Sequence, residues 1–240
     1  MSYQDKFYSK YSSTHAQSLY GRLTKKDIYD QFGTLGSYFG TFLPKDKNAE
    51  ILDIGSGSGG FVSWLQYLGY SRAEGIDISE EQVQVAKELE INNIHQADAL
   101  EFLPINKNKF DVVFARDLLE HLPKEQVLLI IESIFASLKP EGIFVAQTVN
   151  AENWLWGRLR HGDFTHEVAF THSSIRQILK VFEFKEIKVF PQRPIVHGFI
   201  SLIRYIIWIT HEALTRGLLI AETGSGRGIF TQNLIVCAKK

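Results

Sequence analysis

Glu50-Ile-Leu-Asp-Ile-Gly-Ser-Gly-Ser-Gly-Gly60 is the stretch on which the reading of the fold turns. Ile51, Leu52 and Ile54 make a short apolar run of the kind that forms a buried strand. The run breaks into glycines, and Phe61, Val62, Trp64, Leu65 and Leu68 follow at helical spacing. Strand, glycine loop and helix together open a βαβ unit with a nucleotide-like ligand above the turn. Glycine suits the turn because it accepts positive φ and lets backbone N–H groups approach a ligand without a Cβ in the way.

The loop satisfies two templates. Gly55, Gly57 and Gly60 fit the G-x-G-x-x-G of dinucleotide enzymes. Asp53, Gly55, Gly57 and Gly59 fit an acidic D-x-G-x-G-x-G. A carboxylate at the strand's end suits a ligand bearing ammonium and sulfonium groups and opposes a dianionic pyrophosphate. On Leu52-Asp53-Ile54-Gly55-Ser56-Gly57-Ser58-Gly59 the chain resembles the class I methyltransferases that use S-adenosyl-L-methionine (SAM).

Further along, Ala73–Ile78 reads as a second strand ending at Asp77, and Ser79 with Gln82 gives the start signal of a helix. An acid at this strand tip, roughly 20 residues past the glycines, is placed for ribose hydroxyls, with Ile78 beside it. Residues 91–98 read as a third strand and its exit. Lys109–Ala115 is a continuous apolar fourth strand of the buried parallel type. Resemblance to the family assigns Asp98-Ala99 to the adenine amino group and the segment Arg116-Asp-Leu-Leu-Glu-His-Leu-Pro123 to the border of the transferred methyl. Asp53, Gly55, Ser56, Gly57, Gly59, Asp77, Ile78, Asp98, Ala99, Ala115 and Arg116 are the cofactor contacts it implies.

Pro123 opens a helix with an apolar face from Val127 to Leu138, a Lys139-Pro-Glu-Gly142 turn closes it, and Ile143–Val149 is the fifth strand. Upstream, Ile28, Phe32, Leu35, Phe39 and Phe42 form one helical stripe ended near Pro44, preceded by the aromatics Tyr3, Phe7, Tyr8 and Tyr11 of an expected flap. Downstream, a helix starts at Thr171 or Ser173, and Phe184–Phe190 is the sixth strand. Ile195–Ile220 is a strongly apolar helical insertion broken by charges, too interrupted to span a bilayer. It is expected to cover the acceptor pocket, form a homodimer interface or touch a membrane surface. Gly224–Gly228 reads as a flexible connector into the closing strand.

The fold implied is an α/β, Rossmann-like class I methyltransferase fold. Its seven-stranded, mostly parallel sheet has an antiparallel last strand, an N-terminal helix and a helical insertion before the last strand. Residues 1–48 form a helical cap, 49–150 the SAM-binding core, and 151–240 the acceptor loop, insertion and closing strands.

The totals agree with that reading. The chain has 240 residues, enough for one decorated α/β domain, and its 45% hydrophobic and 22% charged content is ordinary for a globular protein. A net charge of −1 argues against bulk electrostatic binding of nucleic acid. The single cysteine, Cys237, leaves no intramolecular disulfide or cysteine-cluster metal site, and with a polar, Tyr-rich start it points to the cytoplasm.

The loop after the fifth strand is placed to hold the methyl acceptor. A hydroxyl acceptor benefits from a general base; His166 is the first candidate, with Asp163 or Glu167 to orient it, and His121 the second. Asp117, Arg158, Arg160 and Glu167 are the candidate acceptor contacts, the arginines for a phosphate-bearing one. Asp163, His166 and Glu167 match no standard metal spacing, and no metal is expected. Asp163–Glu167 followed by Phe170-Thr171 resembles a segment of methyltransferases from bacterial surface-polysaccharide clusters. An O-methyltransferase acting on a sugar or surface-glycan precursor, releasing S-adenosyl-L-homocysteine, is therefore the favoured expectation. A methyltransferase of another small metabolite, an NAD-binding oxidoreductase and a catalytically silent SAM-binding partner are the rivals.

Overall fold

The computed structural model describes Phe7 and residues 23–240. Its strands are β1 (Ile51–Ile54), β2 (Ala73–Asp77), β3 (Ile94–Gln96), β4 (Phe110–Arg116), β5 (Leu138–Val149), β6 (Lys185–Pro191) and β7 (Asn233–Lys239). They form one seven-stranded sheet in the order β3-β2-β1-β4-β5-β7-β6. Pairings from β3 to β5 are parallel, and β7 runs antiparallel to both its neighbours, as expected.

Helices cover both faces: α1 (Lys25–Asp30), α2 (Phe32–Phe39), α3 (Gly60–Tyr67) and α4 (Glu80–Glu88), then α5 (Ala99–Ile105), α6 (Lys124–Ser137), α7 (Trp156–Gly162), α8 (His172–Val181) and α9 (Phe199–Thr223). Successive side chains of a strand point to opposite faces, so even a fully apolar strand feeds two cores. In β4, Val112 and Phe114 pack with Leu35, Phe39, Phe61 and Trp64 from α2 and α3. Val113 and Ala115 pack on the other side with Ile130 and Ile134 of α6 and Ile175 of α8. Strand order reverses between β1 and β4, and a crevice opens beyond their carboxyl ends at such a switch point.

Several local expectations are corrected. The single N-terminal helix is two, interrupted at Gln31; Thr24 caps the first by accepting from the Asp27 N–H. Pro123 precedes α6 as its cap residue, at ψ 154°. The Lys139–Gly142 turn is absorbed into β5 as an irregularity, with Glu141 at φ 68°. Gly224–Gly228 is not a loose connector, because the Arg216 guanidinium donates to the carbonyls of Gly226 and Gly228. Tyr3, Tyr8 and Tyr11 of the expected flap lie outside the described residues; the Phe7 ring stacks on Phe164 at 5.2 Å.

The insertion folds as α9, of 25 residues, with only Ser201 and Glu212 buried. No helix among the described residues is long and apolar enough to cross a membrane.

Candidate active site

The glycine loop settles which template applies. After β1, the backbone turns at Gly55 with φ +70°, and the Gly55 and Ser56 N–H groups donate to the Ile76 carbonyl at 2.9 Å. Gly59 stands at φ +80° as the residue before α3, and a Cβ there would lie 2.8 Å from Ile94 Cγ1. Gly60 is an ordinary first residue of the helix. The glycines the backbone requires are therefore those of the acidic pattern, with Asp53 as its first member.

A cavity of about 400 Å³ opens over this loop and reaches Gly55, Gly57, Asp77, Ile78, Asp98, Ala99, Asp117 and His121. Both Asp77 carboxylate oxygens accept a backbone N–H at 2.8 Å, from Gly57 and Ser79, which locks the carboxylate at the cavity wall. Burial raises its pKa from the ordinary range, against the pull of those two hydrogen bonds. Asp98 caps α5 by accepting from the Leu100 N–H at 2.8 Å. Ile78 is 49% exposed although apolar, and so offers the cavity a flat hydrophobic contact. Ser79, Gln82, Leu118, Leu122 and Gln126 also line it, over an apolar floor of Ile76, Ala97, Leu100 and Ile130. Sequence reasoning had Leu118 and Leu122 in the segment after β4 but missed Ser79, Gln82 and Gln126; Gln82 on α4 and Gln126 on α6 lie on helix faces that only packing turns inward.

Asp53, Ser56, Gly59, Ala115 and Arg116 do not line this cavity. Ala115 is fully buried in the core beneath α6, which corrects its expected role as a contact. The Arg116 guanidinium sits over the rings of Phe61 and Phe39, at 4.7 and 5.4 Å from their centroids. Asp53 is only 2% exposed. Burial pushes its carboxyl up to about 7, while the Arg116 charge pulls the other way. Asp53 Oδ1, Ser56 Oγ and Arg116 Nε are buried with no hydrogen-bond partner among the described residues. Orphaned polar atoms at the ends of β1 and β4 are costly unless a ligand satisfies them. An amino-acid moiety, with ammonium and carboxylate, fits that donor and acceptor set, and an adenosine fits Asp77, Ile78 and Asp98.

The second half of the site lies across β4. The Glu120 carbonyl accepts the Glu167 and Val168 N–H groups at 2.7 and 3.1 Å, which clamps the 163–168 segment onto the turn after β4. Glu120 itself is buried, accepts from the Thr148 hydroxyl at 2.9 Å, and is pushed up to about 8 by burial and by the nearby Asp117. The clamp sets the His121 and His166 rings edge to face, centroids 4.7 Å apart. His121 borders the 400 Å³ cavity, and His166 borders a second cavity of about 450 Å³ with Arg160, His161, Asp163, Phe164 and Glu167.

Hydrogen bonds determine the tautomers. His166 Nδ1 lies 2.9 Å from the Leu159 carbonyl, which only accepts, so Nδ1 carries the proton. The buried Thr165 hydroxyl donates to Asp163 Oδ1 at 2.7 Å and therefore accepts from His121 Nδ1 at 2.8 Å. Both neutral rings consequently keep their lone pair on Nε2. This corrects the expected partners: a backbone carbonyl orients His166, and Asp163 orients His121 through Thr165. Arg160 donates to the Glu167 carbonyl at 3.0 Å, whereas Arg158 is exposed and away from the cavity. The Asp117 carboxylate is held by the Gln147 amide at 2.7 and 2.8 Å, and Gln147 accepts in turn from Gln192.

Comparison with known proteins agrees with this geometry. A sequence profile described as a methyltransferase domain matches residues 29–189, and the chain belongs to that family. The ubiquinone biosynthesis O-methyltransferase of Haemophilus ducreyi is 36% identical over 110 residues, 42% of this chain and 45% of that protein. The phosphoethanolamine N-methyltransferase of Plasmodium falciparum is 30% identical over 115 residues, 45% and 43% of the two chains. The match thus spans less than half the length of these curated relatives. Among solved structures, a SAM-dependent methyltransferase from Archaeoglobus fulgidus superposes with TM-score 0.67 at 20% identity, over 90% of this chain and all of that one. The phosphoethanolamine N-methyltransferase 2 of Haemonchus contortus, solved with SAM, gives 0.65 at 17% identity, over 97% and 60%. Family and fold together define a methyltransferase domain with the fold of SAM-dependent methyltransferases.

Proposed function

We propose that the chain transfers the SAM methyl group to an oxygen of a small hydroxylated acceptor, a sugar or sugar-linked precursor being the favoured class. The observation that carries the reading is the contact between two imidazoles, His121 on the cavity over the glycine loop and His166 on the neighbouring cavity. SAM supplies an electrophilic methyl on a sulfonium centre. The chain's own residues do the rest. Asp53 holds the ammonium, Asp77 the ribose hydroxyls and Asp98 the adenine amino group. His166 Nε2 accepts the acceptor's proton, and the two cavities align oxygen and methyl. Asp117, held by Gln147, and Arg160 and Glu167 border the acceptor's path.

The second cavity, bordered by an arginine, two histidines and two carboxylates, supports a small acceptor with groups for them to bind. The similarity to a ubiquinone O-methyltransferase is in keeping with oxygen as the nucleophile. An amine acceptor bearing a phosphate is the second reading, supported by the Plasmodium relative and by Arg160 in the cavity. In this proposal residues 49–150 bind the cofactor, while 151–240 supply the acceptor-binding loop, the insertion and the closing strands. The first test is calorimetric titration with SAM, S-adenosyl-L-homocysteine and NAD⁺, followed by methyl transfer to panels of nucleotide sugars, simple glycosides and phosphoamines. Transfer to hydroxyls alone supports the reading; transfer to amines alone replaces it, and binding of NAD⁺ alone ends both.

A further inference from the structure

We propose that His121, His166 and Asp163 form a binding site for one divalent first-row transition-metal ion, an inference that rests on the acceptor site just described. One ligand-capable atom from each of the three lies within 4.8 Å of the others. Two histidines and one carboxylate are a recognised ligand set for such ions, whereas magnesium and calcium prefer oxygen alone.

The surroundings prepare these side chains for the task. A metal-bound histidine typically donates its other ring N–H to a carbonyl or carboxylate, which sets the tautomer and aims the ligating nitrogen. His166 has that arrangement directly, and His121 reaches a carboxylate through one hydroxyl. His166 Nδ1 donates to the Leu159 carbonyl, and His121 Nδ1 donates to Thr165, whose hydroxyl donates to Asp163. Asp163 Oδ1 also accepts the Thr165 N–H at 2.9 Å, so one carboxylate oxygen anchors the loop. The ion's ligands are accordingly the two Nε2 atoms and a carboxylate oxygen of Asp163. Neighbouring ligands on one ion with bonds of about 2.0–2.2 Å lie about 3–3.5 Å apart, so loading requires the ligating atoms to move inward.

Three protein ligands leave further coordination positions for an acceptor hydroxyl. An acceptor hydroxyl held there becomes more acidic. Its O–H bond breaks with the proton passing to water, the oxygen pair forms the new bond to the methyl carbon, and the C–S pair stays on sulfur. The ion thereby does for the hydroxyl what a histidine base does in the metal-free reading.

The test uses the whole chain, stripped with EDTA, saturated with S-adenosyl-L-homocysteine and titrated with CoCl₂ while visible d–d absorption is recorded. One Co²⁺ per chain is expected, competed by Zn²⁺. Its affinity should fall at least about tenfold in Asp163→Asn and His166→Gln, and also in Thr165→Val, which removes only the orienting hydroxyl. Unchanged S-adenosyl-L-homocysteine affinity shows that each variant is folded. Absence of a saturable band, or equal Co²⁺ affinity in all four proteins, overturns the site. Full methyl transfer by the stripped protein that is lost in His166→Gln also overturns it and leaves the histidine-base reading standing. Co²⁺ binding without transfer to any hydroxylated acceptor supports the ion site and overturns the acceptor reading instead.

Discussion

The rings of His121 and His166 meet at 4.7 Å although one follows β4 and the other follows α7. Their meeting depends on the Glu120 carbonyl, which takes two N–H groups from the 163–168 segment and so closes the gap between the two elements. One ring of this pair borders the cavity over the glycine loop and the other borders the second cavity.

Replacing His166 by alanine should leave SAM affinity within about twofold of wild type and lower kcat by ~10²–10⁴-fold, the usual contribution of a positioned proton acceptor. Parallel calorimetry and turnover measurements separate the two effects. Full activity in the variant would transfer the role to His121 or remove the need for it.

Asp77→Ala should weaken SAM binding more than tenfold. The carboxylate both faces the cavity and ties the Gly57 and Ser79 N–H groups, so its loss affects the ligand and loosens the glycine loop. An unchanged dissociation constant would take Asp77 out of the site.

SAM affinity should depend on pH through Asp53. Its carboxyl titrates at about 7 in the free protein, and only the ionised form pairs with the ligand's ammonium. Between about pH 5.5 and 7 the affinity should therefore rise with pH, by up to about tenfold per unit, and level off above 7. Asp53→Asn should bind more weakly with no such slope. Calorimetry in buffers of different ionisation heat would report the proton released; no release at pH 6 would refute the pairing.

Glu120 makes the opposite demand on stability. Burial raises its pKa to about 8, so the folded chain holds a proton there that the unfolded chain releases near its ordinary carboxylate value. Its contribution to stability is complete below the unfolded pKa and is lost as pH rises through about 8. Wild-type Tm should fall over that window, and Glu120→Gln, which mimics the protonated form, should flatten the fall by on the order of 5 °C. Coincident Tm curves from pH 5 to 9 would exclude a protonated Glu120.

The cofactor half was legible because its signals are local. An apolar run, a glycine where φ must be positive and an acid at a strand end are each written within a few residues, and parallel strand order then brings Asp53, Asp77 and Asp98 to one edge. Three misreadings share another cause. The apolar stripe from Ile28 to Phe42 does not reveal the break at Gln31, which is a matter of packing onto α3. Arg158 and Arg160 are equivalent by composition, and only the short helix α7 decides that the first faces solvent and the second faces the cavity. Ala115 stands next to the site in sequence but points into the core, because side chains alternate along β4.

The sheet, the glycine loop with its three acids, and hence the family and cofactor could be read from the order of residues alone, since short-range sterics and strand-end geometry carry that information. The construction of the acceptor side could not, and it emerges from the folded chain. The Thr165 bridge from Asp163 to His121, the Leu159 carbonyl behind His166 and the clamp at Glu120 are hydrogen bonds between segments, and no periodicity or spacing records them. Buried polar groups must be paired wherever the chain brings them, so the partners became identifiable once the loop was laid against β4.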